Sequence, residues 1–187
     1  MESRENRPEK RPVRRSGGGG GKGGGGGRGG GPDSRPRPGP IGLRPLGGSG
    51  EFELRHPRCV EEAELDYQEG LELWKEGDPE GARDALRFAL EACHHNLWVH
   101  VALGRLALEE FNDPRLARGH YGYAVELGNK ALPANFTGRL PRNRPANEPF
   151  LEALTGLAIC LSQLGDQTGA AELTEFTNRL TRSGAKP

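Results

Sequence analysis

Long hydrophobic runs are missing from this 187-residue chain, of which only 33% is hydrophobic. No stretch approaches the roughly 18 uninterrupted apolar residues of a membrane span, so no membrane partner is expected. The opening MESRENRPEKRPVRR leads into glycine rather than an apolar segment, so neither a secretory signal peptide nor a twin-arginine signal at Arg14-Arg15 is expected. Cysteine is scarce: Cys59, Cys93 and Cys160 lie far apart and form no CxxC. No disulfide framework is expected, and a reducing cytoplasm is the natural setting. Serine is nearly absent beyond residue 50, where only Ser162 and Ser183 remain. Net charge is lacking too, with 26 basic and 26 acidic residues. That balance hides a division: residues 1–50 hold 11 Lys/Arg and 4 Asp/Glu, while residues 51–187 hold 15 and 22. A basic tail of +7 is joined to an acidic body of −7.

The tail contains 18 of the 30 glycines, 7 of the 15 prolines and no aromatic residue. Its large apolar residues are Met1, Val13, Ile41, Leu43 and Leu46. Such a segment cannot bury enough surface to offset a backbone ordering cost of roughly 1–2 kcal/mol per residue. Residues 1–50 are therefore read as a disordered Gly/Pro-rich tail and 51–187 as the folded domain. The tail reads first as a soluble spacer. The alternative is weak, nonspecific contact with RNA or DNA phosphates, although GRGG occurs once, around Arg28, with no Phe or Tyr interleaved.

In the body, apolar residues recur at helical spacing, and three segments align without a gap. They are GDPEGARDALRFALE from Gly77, NDPRLARGHYGYAVE from Asn112 and GDQTGAAELTEFTNR from Gly165. Each opens with Gly or Asn, which tolerates the left-handed conformation that ends a helix. Each continues with an aspartate, Asp78, Asp113 or Asp166, suited to cap the next helix. Pro79 and Pro114 follow where a missing amide costs nothing. An alanine stands four residues after each aspartate, Ala82, Ala117 and Ala170, with Ala89 and Ala124 seven further on in the first two copies. Helices are expected before the turns, at about 58–76, 97–111 and 150–164, and after them, the last at about 167–182. ALRFALEAC, 85–93, is apolar nearly all round and is expected mid-stack.

Gly70 and Gly104 are 34 residues apart. With Gly70, Ala82, Leu86 and Ala89, then Gly104, Ala117, Tyr121 and Ala124, the body resembles a tetratricopeptide repeat protein over about residues 60–182. A third, looser copy carries Ala158, Ala170, Thr174 and Thr177. The resemblance implies an all-α array of three helical hairpins that binds another protein, as an adaptor or assembly factor. It places the binding surface on the first helix of each hairpin, where Tyr67, Leu71 and Trp74 share one stripe and Trp98, Val101, Arg105 and Leu108 share the next. Tyr67, Trp74, Trp98 and Arg105 are the candidate partner-binding residues. Few cations line these stripes, so an apolar or helical segment suits them better than a C-terminal carboxylate.

Between the second and third copies lies a Pro-rich, basic insertion at about 129–149, with Lys130, Arg139, Arg142 and Arg144. It reads either as a cover over the second hairpin or as a lid or binding loop built on Arg139, Arg142 and Arg144.

Catalysis finds little support. Adjacent Cys93, His94 and His95 do not converge on one point if helical, and His100 and His120 read as structural. The polyglycine run lacks the GK[ST] of a phosphate loop. The expectation is a non-catalytic chain with no metal and no cofactor.

Overall fold

The computed structural model describes residues 41–48 and 50–182. In order these form β1 (Gly42–Leu46), β2 (Glu51–Arg55), a short α1 (Cys59–Glu62), α2 (Glu64–Lys75), α3 (Pro79–Ala92), α4 (Leu97–Glu109) and α5 (Pro114–Ala131). A 3-10 turn (Pro145–Asn147), α6 (Glu148–Gln163) and α7 (Gln167–Thr181) complete the chain. Helices α2–α3, α4–α5 and α6–α7 pair as three hairpins, and the chain is a mostly helical array of tetratricopeptide-like units.

The repeated turn works as its residues require. Gly77 (φ 85°) and Gly165 (φ 90°) adopt left-handed backbone, as does Asn112 (φ 48°). Helix α2 closes with Gly77 N–H donating to Trp74 C=O and Asp78 N–H to Leu73 C=O, and α6 ends the same way at Gly165 and Asp166. Each aspartate then starts the next helix. Asp78 Oδ1 accepts from Gly81 N–H, Asp113 Oδ1 from Arg115 and Leu116, and Asp166 Oδ1 from Gly169. One residue thus ends one helix and opens the next, each cap contributing about 1 kcal/mol. At the second turn Asp113 N–H reaches back to Ala107 C=O, a wider closure that absorbs the extra residue between the copies.

Small residues let the helices approach. Ala82, Ala89, Ala117 and Ala124 are completely buried. Gly70 faces the Leu86 side chain, while Gly104 of α4 and Gly156 of α6 press on the Tyr121 ring of α5 from two sides. In the third unit the residue facing that ring is Gly156. Gly128 of α5 similarly leaves room for the buried Phe150 ring.

Several expectations are corrected. The first helix breaks at Ala63 into α1 and α2. Helix α3 is not apolar all round: it buries Ala82, Leu86 and Ala89 while Phe88 is 59% exposed. The helices enclosed on most sides are α4 and α6. Cys59 and Cys93 are joined as a disulfide across a Cα–Cα distance of 5.2 Å. Their separation of 34 residues is one repeat, so folding back a single unit brings them together.

The composition boundary at residue 50 also falls inside an element. β1 and β2 form an antiparallel hairpin in which Leu43 faces Leu54 and Pro45 faces Phe52. Ile41 and Leu54 enter the core and Leu43 and Phe52 pack against it, so the period of two at Ile41 and Leu43 was a strand signal drowned by glycine. The expectation for residues 1–40 lies outside the described residues. Helix α5 runs on to Ala131, which leaves 132–144 as the irregular part of the insertion. Arg139 N–H donates to Gly50 C=O (2.9 Å) and its carbonyl accepts from Phe52 N–H (2.8 Å), while Leu140 N–H donates to Leu180 C=O (2.8 Å). The segment is a strap from the β-hairpin to the end of α7.

Candidate protein-interaction surface

The first helices of the three hairpins, α2, α4 and α6, carry the side chains that converge. Trp74 of α2 donates its indole N–H to Glu110 just past α4 (2.7 Å). The Arg105 guanidinium lies over the Trp74 ring, 5.3 Å from its centroid. Arg105 also contacts Glu109 one turn on (3.4 Å) and Glu152 of α6 (3.7 Å). Exposed ion pairs such as these contribute at most about 1 kcal/mol each, so they orient Arg105 more than they hold the helices.

Tyr67 stands seven residues before Trp74 on the same face of α2. Burial pushes its phenol above the ordinary value, Glu152, Glu64 and Glu148 push it further, and Arg105 opposes them. Glu152 is itself raised, first by burial, with Arg105 drawing it down and Glu148 and Glu109 pushing it up. A cavity of about 380 Å³ adjoins them, lined by Arg142, Glu148, Leu151, Glu152 and Thr155.

Of the residues picked from sequence, the structure brings Trp74 and Arg105 into contact and places Tyr67 two turns earlier on the same face of α2. Trp98 lies two turns away on α4, half-buried, with the His56 ring 4.1 Å from its own. His56 follows β2 and donates from Nε2 to Ala146 C=O (2.7 Å), so the segment after the β-hairpin covers this end of the α4 stripe. In the insertion, Arg142 reaches the inner surface through the small cavity. Arg139 serves the strap through its backbone and pairs with Glu51 (3.4 Å). Arg144 is exposed at the start of the 3-10 turn.

Sequence reasoning missed the carboxylates Glu109, Glu110, Glu148 and Glu152. Glu148 and Glu152 are one helical turn apart, which was a readable signal, but the insertion hid where α6 begins. It also missed Asn147, which is fully buried. Its Oδ1 accepts from Leu54 N–H (2.9 Å) and its Nδ2 donates to the carbonyls of Phe52 (3.1 Å) and Pro141 (3.2 Å).

His100 and His120 do meet, with ring centroids 5.9 Å apart, and Tyr123 packs on His100. Burial holds His100 down at about 4, although the hydrogen bond to the His94 carbonyl opposes the shift. Among the described residues no group of three His, Cys, Asp or Glu is placed to hold a metal. None of the described helices is long and apolar enough to cross a membrane. A larger cleft of about 950 Å³ opens between α6 and α7, on the flank of the last hairpin.

No protein-family model matches the chain, and no curated protein does. Among solved structures it is similar to the N-terminal domain of stress-induced protein-1 (STI-1) from C. elegans, with a TM-score of 0.53 and 16% identity. That likeness covers 68% of this chain and 90% of the other. It is a likeness of fold, and it agrees with the tetratricopeptide-like array.

Proposed function

We propose that the chain is a non-catalytic protein-interaction module, an adaptor or assembly factor that binds a peptide or helix of another protein on the α2–α4–α6 surface. The observation that carries this reading is the convergence of Tyr67, Trp74 and Arg105 from two helices, with Glu152 closing from the third. Two aromatics on one helix face with an oriented guanidinium over one of them are the composition of a binding hot spot. Full-length protein and the variants Trp74→Ala and Arg105→Ala test it as baits at moderate salt, with thermal unfolding as the fold control. A defined protein retained by the wild type and lost from both variants supports the reading. A partner indifferent to both substitutions refutes this surface as the binding face.

A cytoplasmic setting belongs to the same proposal, and in a reducing cytosol Cys59 and Cys93 would stand as neighbouring thiols. Acid quenching in the cell followed by thiol alkylation tests it. Finding both cysteines blocked as a disulfide would move the protein to an oxidising compartment.

A further inference from the structure

The inner surface carries more negative charge than its own cations meet. Glu64, Glu148 and Glu152 all act on the Tyr67 hydroxyl. Glu109 and Glu152 share Arg105, and Glu110 takes the Trp74 indole. Against these five carboxylates stand three cations, Arg105, the Arg142 that lines the cavity with Glu148 and Glu152, and Lys75 at the end of α2. Burial raises the Glu152 carboxyl first, Arg105 draws it down, and Glu148 and Glu109 add to the rise. The surface also shows how it seats a cation. Arg105 lies over Trp74 and between two carboxylates, combining cation–π attraction with charge-assisted contact. Glu148 and Glu152 line the neighbouring cavity of α6, where they outnumber its one cation, Arg142.

We propose that the segment bound on the α2–α4–α6 surface is basic, presenting arginine or lysine to the Glu148–Glu152 end of the groove. This rests on the interaction reading above and names the chemistry of its partner. A carboxylate-bearing tail would meet more like charge than opposite charge here. A cationic one is steered in by the field.

The test uses a display library of random 12-residue peptides selected on full-length protein, with recovered peptides re-screened on Trp74→Ala. Consensus peptides are then measured by calorimetry against wild type and a Glu148→Gln/Glu152→Gln variant. Glu148 is exposed, and Glu148→Gln alone serves as the variant least able to disturb folding. The expected result is enrichment of Arg and Lys among Trp74-dependent peptides. Their affinity should fall as salt rises from about 50 to about 200 mM and should drop roughly tenfold in the double variant. Trp74-dependent peptides without cation enrichment, or cationic peptides indifferent to the Glu→Gln changes, overturn the inference and leave the interaction reading standing. Absence of any Trp74-dependent peptide overturns both.

Discussion

Gly156→Ala probes a close contact between the second and third hairpins. A Cβ at Gly156 would lie 2.4–2.6 Å from the Cζ, Cε1 and Cε2 atoms of Tyr121, and a Cβ at Gly104 would meet the same atoms at 2.8–2.9 Å. The ring is gripped from both sides and is 3% exposed, so it has nowhere to swing. Overpacking a filled core costs about 1–3 kcal/mol, and a ring pinned on two faces belongs in the upper half of that range. Alanine recovers about 1 kcal/mol over glycine in a helix, which leaves a net loss of about 1–2 kcal/mol. Gly119→Ala in α5 is the control, because nothing stands within 4 Å of its added Cβ. It should gain about 1 kcal/mol, so the two substitutions differ in sign. Urea unfolding followed by circular dichroism reads both. With a slope of about 2 kcal/mol per molar, the midpoint falls by roughly 0.5–1 M for Gly156→Ala and rises by roughly 0.5 M for Gly119→Ala. Tyr121→Leu should remove most of the Gly156→Ala penalty, a coupling on the order of 1 kcal/mol. If both glycine variants move the midpoint upward, the ring is not wedged between α4 and α6 and the packing argument fails.

Opening the Cys59–Cys93 link, which closes a 34-residue separation, with Cys59→Ser/Cys93→Ser should cost about 3–4 kcal/mol. Wild type in reductant should then unfold with the double variant, and equal midpoints for oxidised and reduced wild type would contradict it. His100, held down at about 4, is neutral in the fold. Its contribution is full above the unfolded value near pH 6.5 and is lost as pH falls toward 4, up to about 3 kcal/mol. His56 and His120 are also lowered by burial and act in the same sense. Urea midpoints taken between about pH 7.5 and pH 5 should therefore fall, and His100→Gln should flatten the slope; an unchanged slope would mean that His100 does not titrate as argued. Asn147→Ala takes the acceptor from Leu54 N–H and a donor from the Phe52 carbonyl, while the Pro141 carbonyl keeps Arg144 N–H, a loss of about 2–3 kcal/mol. Amide exchange should accelerate in β1 and β2 while α3 stays protected; uniform acceleration would mean that Asn147 supports the whole fold rather than the hairpin.

The helical hairpins were legible because their signals are local. Gly77, Asp78 and Pro79 state within three residues that one helix ends and another begins, and Asn112–Pro114 repeats the message. The β-hairpin was not legible from composition, since Ile41, Leu43 and Leu46 were averaged with 18 glycines. Its support is also non-local. The residue that satisfies β2 is Asn147, 93 positions beyond Leu54, and no periodicity connects them. The disulfide escaped for a related reason: a spacing of 34 residues reads as distance until the repeat is known to double back. Trp98 was chosen as a free aromatic because its stripe was right, and sequence could not show that His56 would be laid across it.

The limits of the groove follow from these non-local contacts. The four residues Tyr67, Trp74, Arg105 and Glu152 come from elements whose relative positions are set by Gly70 against Leu86 and by Tyr121 between Gly104 and Gly156. One end of the α4 stripe is closed by His56 over Trp98, and His56 is held there by Ala146 of the same turn whose Asn147 pins β2. Another part is bordered by Arg142 from the strap. What remains is a short patch, aromatic on α2 and acidic on α4 and α6, rather than the full length of three helices. A surface shortened in this way is suited to a few side chains of a partner. On the reading proposed above, its selectivity rests on charge, and the carboxylates that no local pattern announced decide what it can hold.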